Sequence, residues 1–268
     1  MFDILKNALQ AEGITRIGLL SIDECEIINE RLLSSNAKTV IMFCIPYRST
    51  CDKATDGISE YARVYDYHRY CSELFERIIP FMHHETSHNF FGFCDHSPIN
   101  EKLAAAKCGL GIIGKNSLFI DDVYGSFVFL GTIICDISIE HSTVQIKNCI
   151  NCNKCAVSCP TKSITERGII RETCLSYISQ KKRKTEDDRE LLKSNNIVWG
   201  CDVCQLVCPY NDNAKISPIP YFANTRNGNI DINFINSLND EEFNKYAFSY
   251  RGKAVIKENI EYINKNNI

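Results

Sequence analysis

The stretch CINCNKCAVSCP, residues 149–160, constrains this chain more than any other: four cysteines in CxxCxxCxxxC order, with Pro160 directly behind. Three closely spaced thiolates wrap the backbone around one corner of a cubane iron–sulfur cluster. The longer last step and the proline send the fourth thiolate outward, toward a second cluster. A partner motif, GCDVCQLVCPYN, supplies Cys201, Cys204 and Cys208, followed by Pro209. Two 4Fe-4S clusters need one ligand more than these seven, and Cys174 in RETCLSYI, between the motifs, is the natural eighth. Ligand exchange between the motifs assigns Cys149, Cys152, Cys155 and Cys208 to one cluster and Cys159, Cys174, Cys201 and Cys204 to the other. Zinc also accepts four thiolates, but structural zinc sites use separated CxxC pairs rather than four ligands in one run closed by proline.

Two clusters form a wire for low-potential single electrons, and a wire alone does not name what is reduced. A simple ferredoxin needs no further domain, so the acceptor site is expected in the residues before Cys149. The chain has 15 cysteines. The other seven, Cys25, Cys44, Cys51, Cys71, Cys94, Cys108 and Cys135, are scattered and read as small buried hydrophobes. With 30 basic and 33 acidic residues the net charge is −3, so no global field attracts a polyanion. A local patch would be needed, and the one basic run is KKRK, Lys181–Lys184. No apolar run approaches the roughly 18 residues of a membrane span. Asp3 also stands where a signal peptide carries positive charge. A cytoplasmic protein with no membrane association is expected.

FDILKNALQAEG carries Phe2, Leu5, Ala8 and Leu9 on one helical face and ends at Gly13. TRIGLL, KTVIMFCIPY, NFFGFC and SFVFLGTIIC read as strands. DECEIINERLL, DYHRYCSELFERIIPFM and PINEKLAAAKC read as helices. The alternation predicts an α/β (or α+β) domain with one mixed sheet over residues 1–140. A two-cluster ferredoxin-like domain over 141–220 follows, then a C-terminal helical segment over 221–268 that packs on the core.

Asp95 follows an apolar strand and precedes Pro98, at a strand's carboxyl end where such folds place ligands. It could equally cap the helix that follows. CGLGIIGKN contains GxGxxG at Gly109, Gly111 and Gly114. It follows a helix-like segment rather than a strand, and no βαβ unit with an acidic residue about twenty positions on is apparent, so the dinucleotide context fails.

YARVYDYH, DHSPINEKLAAAKCGLGIIGKN, YGSFVFLGTII, the two cysteine motifs, CLSYI and SYRGKAVIKEN together resemble the epoxyqueuosine reductase family, in family order over about residues 2–260. The resemblance implies cobalamin between the α/β and cluster domains, and reduction of epoxyqueuosine to queuosine at the wobble base of a tRNA. Electrons would come through the clusters from an external low-potential donor such as ferredoxin or flavodoxin. It implies that Asp95 is the proton donor, with burial raising its pKa. Ser59, Tyr61, Asp66, Tyr67, His68, Gly109, Gly111, Gly114, Lys115, Asn116 and Ser126 would contact the cofactor, the glycines letting backbone approach the flat corrin. Long members carry a larger loop before KTVIMF with a basic residue near cobalamin, and Arg31 is the nearest counterpart of that residue here. They also append helical repeats that grip RNA; the chain reads as a short form without them. KKRK, Arg251 and Lys253 are then the candidate phosphate contacts. A monomer is expected. The alternatives are a cobalamin-dependent reductase of a small molecule, like the reductive dehalogenases, and a non-catalytic electron carrier.

Overall fold

TVIMFCIP is buried at every position, and its alternate side chains serve two separate cores. The structure is a computed structural model that describes residues 1–51, 56–142 and 144–264. Its main strands are β1 (Ile17–Ser21), β2 (Thr39–Pro46), β3 (Phe90–Phe93), β4 (Gly111–Ile113), β5 (Phe119–Asp121) and β6 (Val128–Cys135). From β2, Ile41, Phe43 and Ile45 face α1 (Phe2–Ala11) and α2 (Tyr67–Thr86); Val40, Met42 and Cys44 face the alanines of α3 (Glu101–Lys107). A strand covered on both sides needs this continuous apolar run, because successive side chains point to opposite faces.

The sheet order is β1-β2-β6-β3. The α/β class expected from the sequence stands, but the sheet is not mixed: every pair in it is antiparallel. Helix alternation suggests parallel crossovers, whereas β2 and β6 pair along their full eight residues, from Thr39 opposite Cys135 to Pro46 opposite Val128. The helix expected over DECEIINERLL is absent. Two single 3-10 turns, Ile22–Glu24 and Glu30–Leu32, stand in its place. The backbone between them is bonded elsewhere: Ile28 and Asn29 N–H donate to the Pro98 carbonyl, and Asn100 N–H donates to the Glu26 carbonyl. This segment therefore braces the loop that carries Asp95.

CGLGIIGKN leaves α3 and enters a β4–β5 hairpin. A Cβ on Gly111 would lie 2.0 Å from the Ile120 carbonyl oxygen, so the glycine is required by hairpin packing. Gly111→Ala is expected to destabilise the fold by roughly 1–3 kcal/mol, the usual overpacking cost. Denaturant unfolding measures this, and an unchanged midpoint would contradict the packing argument.

The cysteine motifs form two short helices, α4 (Lys154–Ser158) and α7 (Val203–Leu206), which lie against each other. Between them in the chain come α5 (Leu175–Ser179) and α6 (Glu186–Ser194), sharing a small core of Leu175, Ile178, Leu192 and Ile197. The last segment divides its packing. Phe222 joins the sheet core, whereas Ile235, Phe243, Phe248 and Ile256 cover Ile58, Ala62 and the fully buried Trp199. Among the described residues no helix is long and apolar enough to cross a membrane.

Candidate active site

A cavity of about 690 Å³ opens between the sheet and the cluster motifs, within the size range of cofactor and ligand sites. Eight of the residues singled out from the sequence line it: Ser59, Tyr61, Asp66, Tyr67, His68, Asp95, Asn116 and Ser126. Gly109, Gly111, Gly114 and Lys115 do not. Gly114 and Lys115 instead border the hollow among Cys149, Cys152, Cys155 and Cys208, and Gly109 packs toward Val144. Their glycine character answers to the hairpin and its neighbours, so the expectation that this backbone faces a corrin finds no support in their placement. Arg31 sits in the 3-10 turn Glu30–Leu32 and is also outside the lining.

Asp95 lies just past β3 with φ +61°, a left-handed conformation that Asp tolerates better than most residues. It does not cap α3; Asn100 does, accepting from Leu103 N–H. The Asp95 carboxylate instead accepts from the Tyr67 hydroxyl and stands 3.3 Å from His68 Nε2. The other imidazole nitrogen, His68 Nδ1, lies 2.8 Å from Asp66 Oδ1. Tyr67 is clamped between rings, His68 at 4.1 Å and Phe129 at 3.7 Å between centroids.

These bonds reverse the pKa expected for Asp95. Burial pushes its carboxyl up, but the hydrogen bonds from His68 and Tyr67 outweigh burial and hold it below its ordinary value. His68 is raised to about 10, first by its bond to Asp66 and then by Asp95. Near neutral pH the proton of this pair therefore rests on the imidazole. A residue that sequence reasoning passes over sits behind it. Glu101, in the first turn of α3, accepts from Thr132 Oγ1 at 2.8 Å, and burial pushes its carboxyl to about 7. In the sequence it resembles any acidic residue at a helix start.

The eight motif cysteines gather in two groups. Cys149, Cys152, Cys155 and Cys208 line one small hollow, while Cys201 and Cys204 lie with Cys174 on the other side. Cys174, Cys201 and Cys204 border the cavity itself. Among the described residues no three His, Cys, Asp or Glu side chains converge tightly enough to hold a single metal ion. Burial raises the Cys201 and Cys204 thiols to about 12. Asn116, whose buried Nδ2 has no conventional hydrogen-bond partner, offsets part of the rise at Cys204. Ser163 N–H donates to Cys159 Sγ at 3.4 Å. Donors of this kind tune a cluster's potential.

Two polar links tie the segments after β2 and before β6 to the second cysteine motif, and neither is visible in the sequence. Asp202, between Cys201 and Cys204, accepts from the Ser59 hydroxyl, from Glu60 N–H at 2.7 Å and from Gln205 Nε2 at 2.9 Å. Ser59, expected at the cofactor, thus has its hydroxyl committed to Asp202. Ser126 donates to Gln205 Oε1 at 2.9 Å and accepts from Asn211 Nδ2 at 2.8 Å.

Fold and site define the class: an oxidoreductase with a double-cluster module built against its cavity. Residues 148–211 match the model of the 4Fe-4S double cluster binding domain, and residues 28–96 match that of Epoxyqueuosine reductase QueG, DUF1730. The epoxyqueuosine reductase of Lactococcus garvieae is 31% identical over 261 residues, covering 88% of this chain and 71% of that protein. The chain belongs to the epoxyqueuosine reductase family. Other curated members match over as little as 45% of their length. The solved epoxyqueuosine reductase of Streptococcus thermophilus shares the fold, with TM-score 0.82 at 23% identity, covering 99% of this chain and 81% of that one. So does an epoxyqueuosine reductase solved with an epoxyqueuosine-modified tRNA-Tyr stem loop, with TM-score 0.81 at 21% identity over 98% and 80% of the two chains.

Proposed function

We propose that the chain reduces epoxyqueuosine to queuosine in a tRNA anticodon stem loop, with cobalamin in the cavity and two 4Fe-4S clusters on the eight motif cysteines. One observation carries the reading: the same cavity is bordered on one side by Cys174, Cys201 and Cys204 and on another by Asp95, Tyr67 and His68. An electron entry and a proton source thus meet at one space. The residues suit both cofactors. Leu118, Val128 and Phe129 offer an apolar wall for a macrocycle, and Tyr61, Asn116 and Ser126 offer polar groups beside it. Cobalamin, when bound, supplies a cobalt centre that takes single electrons and reduces the substrate; the clusters supply those electrons one at a time at low potential.

The chain's own residues pass on the protons one at a time, His68 regaining from solvent each one it gives up. Removing an epoxide oxygen as water takes two electrons and two protons, and the departing oxygen leaves poorly until it is protonated. His68 holds a proton near neutral pH, and the Asp95 carboxylate bridges it to the cavity, so Asp95 is the group that hands the proton to the substrate oxygen. Tyr67 fixes the carboxylate from its other side. The loop on which Asp95 stands is held by Glu101, which accepts from the Asp95 backbone N–H and from Ser97, and by the Ile28–Asn29 backbone bonded to Pro98.

The direct test supplies the cluster-loaded protein with cobalamin, a low-potential reductant and an epoxyqueuosine-containing stem loop. Nucleoside mass analysis should find queuosine in its place, and turnover should require both cobalamin and iron. Unchanged epoxyqueuosine under these conditions would sink the proposal.

A further inference from the structure

A second cavity, of about 430 Å³, is lined by Tyr177, Gln180, Lys181, Lys182, Arg183 and Arg251; every charged group in that lining is basic. It shares a wall with the reaction cavity. Tyr250 lines the reaction cavity, its hydroxyl donates to Gln180 Oε1, and the Arg251 guanidinium lies 4.8 Å from its ring centroid. Gln180 Nε2 in turn lies 3.2 Å from the hydroxyl of Tyr61, a second lining residue of the reaction cavity. A chain leaving the reaction cavity over Tyr250 therefore meets this basic pocket next.

The structure divides the KKRK run by role. Lys181 pairs with Asp188 at 2.9 Å, and Lys184 is buried, donating to the Lys181 carbonyl at 2.8 Å. These two hold the loop in shape. Lys182 and Arg183 are exposed. Arg251 Nε is buried without a hydrogen-bond partner. Lys253, also considered from the sequence, donates to the Leu238 carbonyl and is not part of the lining.

We propose that Lys182, Arg183 and Arg251 bind the phosphodiester backbone of the RNA nucleotide adjoining the base held in the reaction cavity. The inference rests on the RNA substrate proposed above. In a chain of net charge −3 the attraction has to be local, and bonds to phosphate fix register rather than read sequence.

The test uses the cluster- and cobalamin-loaded protein, an unmodified anticodon stem-loop RNA, and two variants: K182Q/R183Q, which alters only exposed side chains, and the triple variant that adds R251Q. RNA affinity is measured across a salt series, and reduction is measured on the free epoxyqueuosine nucleoside. Removing one cation from the phosphates should reduce the slope of log affinity against log salt by about 0.7–0.9. The double variant should bind roughly tenfold more weakly at low salt and the triple variant weaker still, with nucleoside turnover unchanged in both. Unchanged affinity and slope in the triple variant would overturn the pocket assignment. A wild-type protein that binds the RNA with the expected slope yet reduces neither nucleoside nor stem loop would leave the pocket standing and defeat the proposed reaction.

Discussion

Asp95→Asn is expected to lower turnover by roughly 10²- to 10⁴-fold, the range over which a positioned proton donor contributes. Its iron content and its uptake of cobalamin should match those of the parent. The amide keeps the shape of the side chain but cannot carry a proton between His68 and the cavity. The variant has a second signature. His68 is raised by two carboxylates, Asp66 and Asp95. Removing one must bring its pKa down from about 10 toward its ordinary value, which an imidazole NMR titration follows directly. The sign of the pH dependence follows. The protonated imidazole, and the stability its raised pKa contributes, are fully present at low pH and lost as pH rises through about 10. The parent's activity should therefore fall on the alkaline side. Full turnover in Asp95→Asn would remove Asp95 from the mechanism.

The second large effect is expected at Cys204. Replacing it with Ser removes one thiolate from the group that borders the cavity, while Cys149, Cys152, Cys155 and Cys208 keep their own neighbours. Iron should fall from about eight to about four atoms per chain, since each cubane holds four. Reduction should cease, because the remaining cluster is the one away from the substrate. Cys152→Ser should remove a similar amount of iron from the outer group. If Cys204→Ser retained all its iron, the assignment of that ligand would fail. Loss of all iron would mean that the two groups do not assemble independently.

The double-cluster module is legible in the sequence because its motifs are local: steps of three residues keep thiolates at one cubane, and a step of four followed by proline sends the next one away. The core strands are legible for a similar reason, since TVIMFCIP must be covered on both faces wherever it lies. DECEIINERLL misleads because its backbone groups are taken by Pro98 and Asn100, some seventy residues away, and no local pattern records that. Within CGLGIIGKN, the crowding that demands glycine at Gly111 comes from Ile120 across a hairpin, which no local pattern records. For the protonation of Asp95 the sequence points in the wrong direction. Burial alone raises a carboxyl, and the partners that reverse this, Tyr67 and His68, sit on a different element. Its alternative role as a helix cap is open in the sequence and falls to Asn100 in the structure.

The position of Asp202 bears on how the protein is assembled. It stands in the chain between two cysteines of the inner group, and it is the group that Ser59 and Glu60 grasp from the opposite wall. The loop that would close around iron and the rim of the cavity are therefore one mechanical piece. A displacement of either is passed directly to the other through these two bonds.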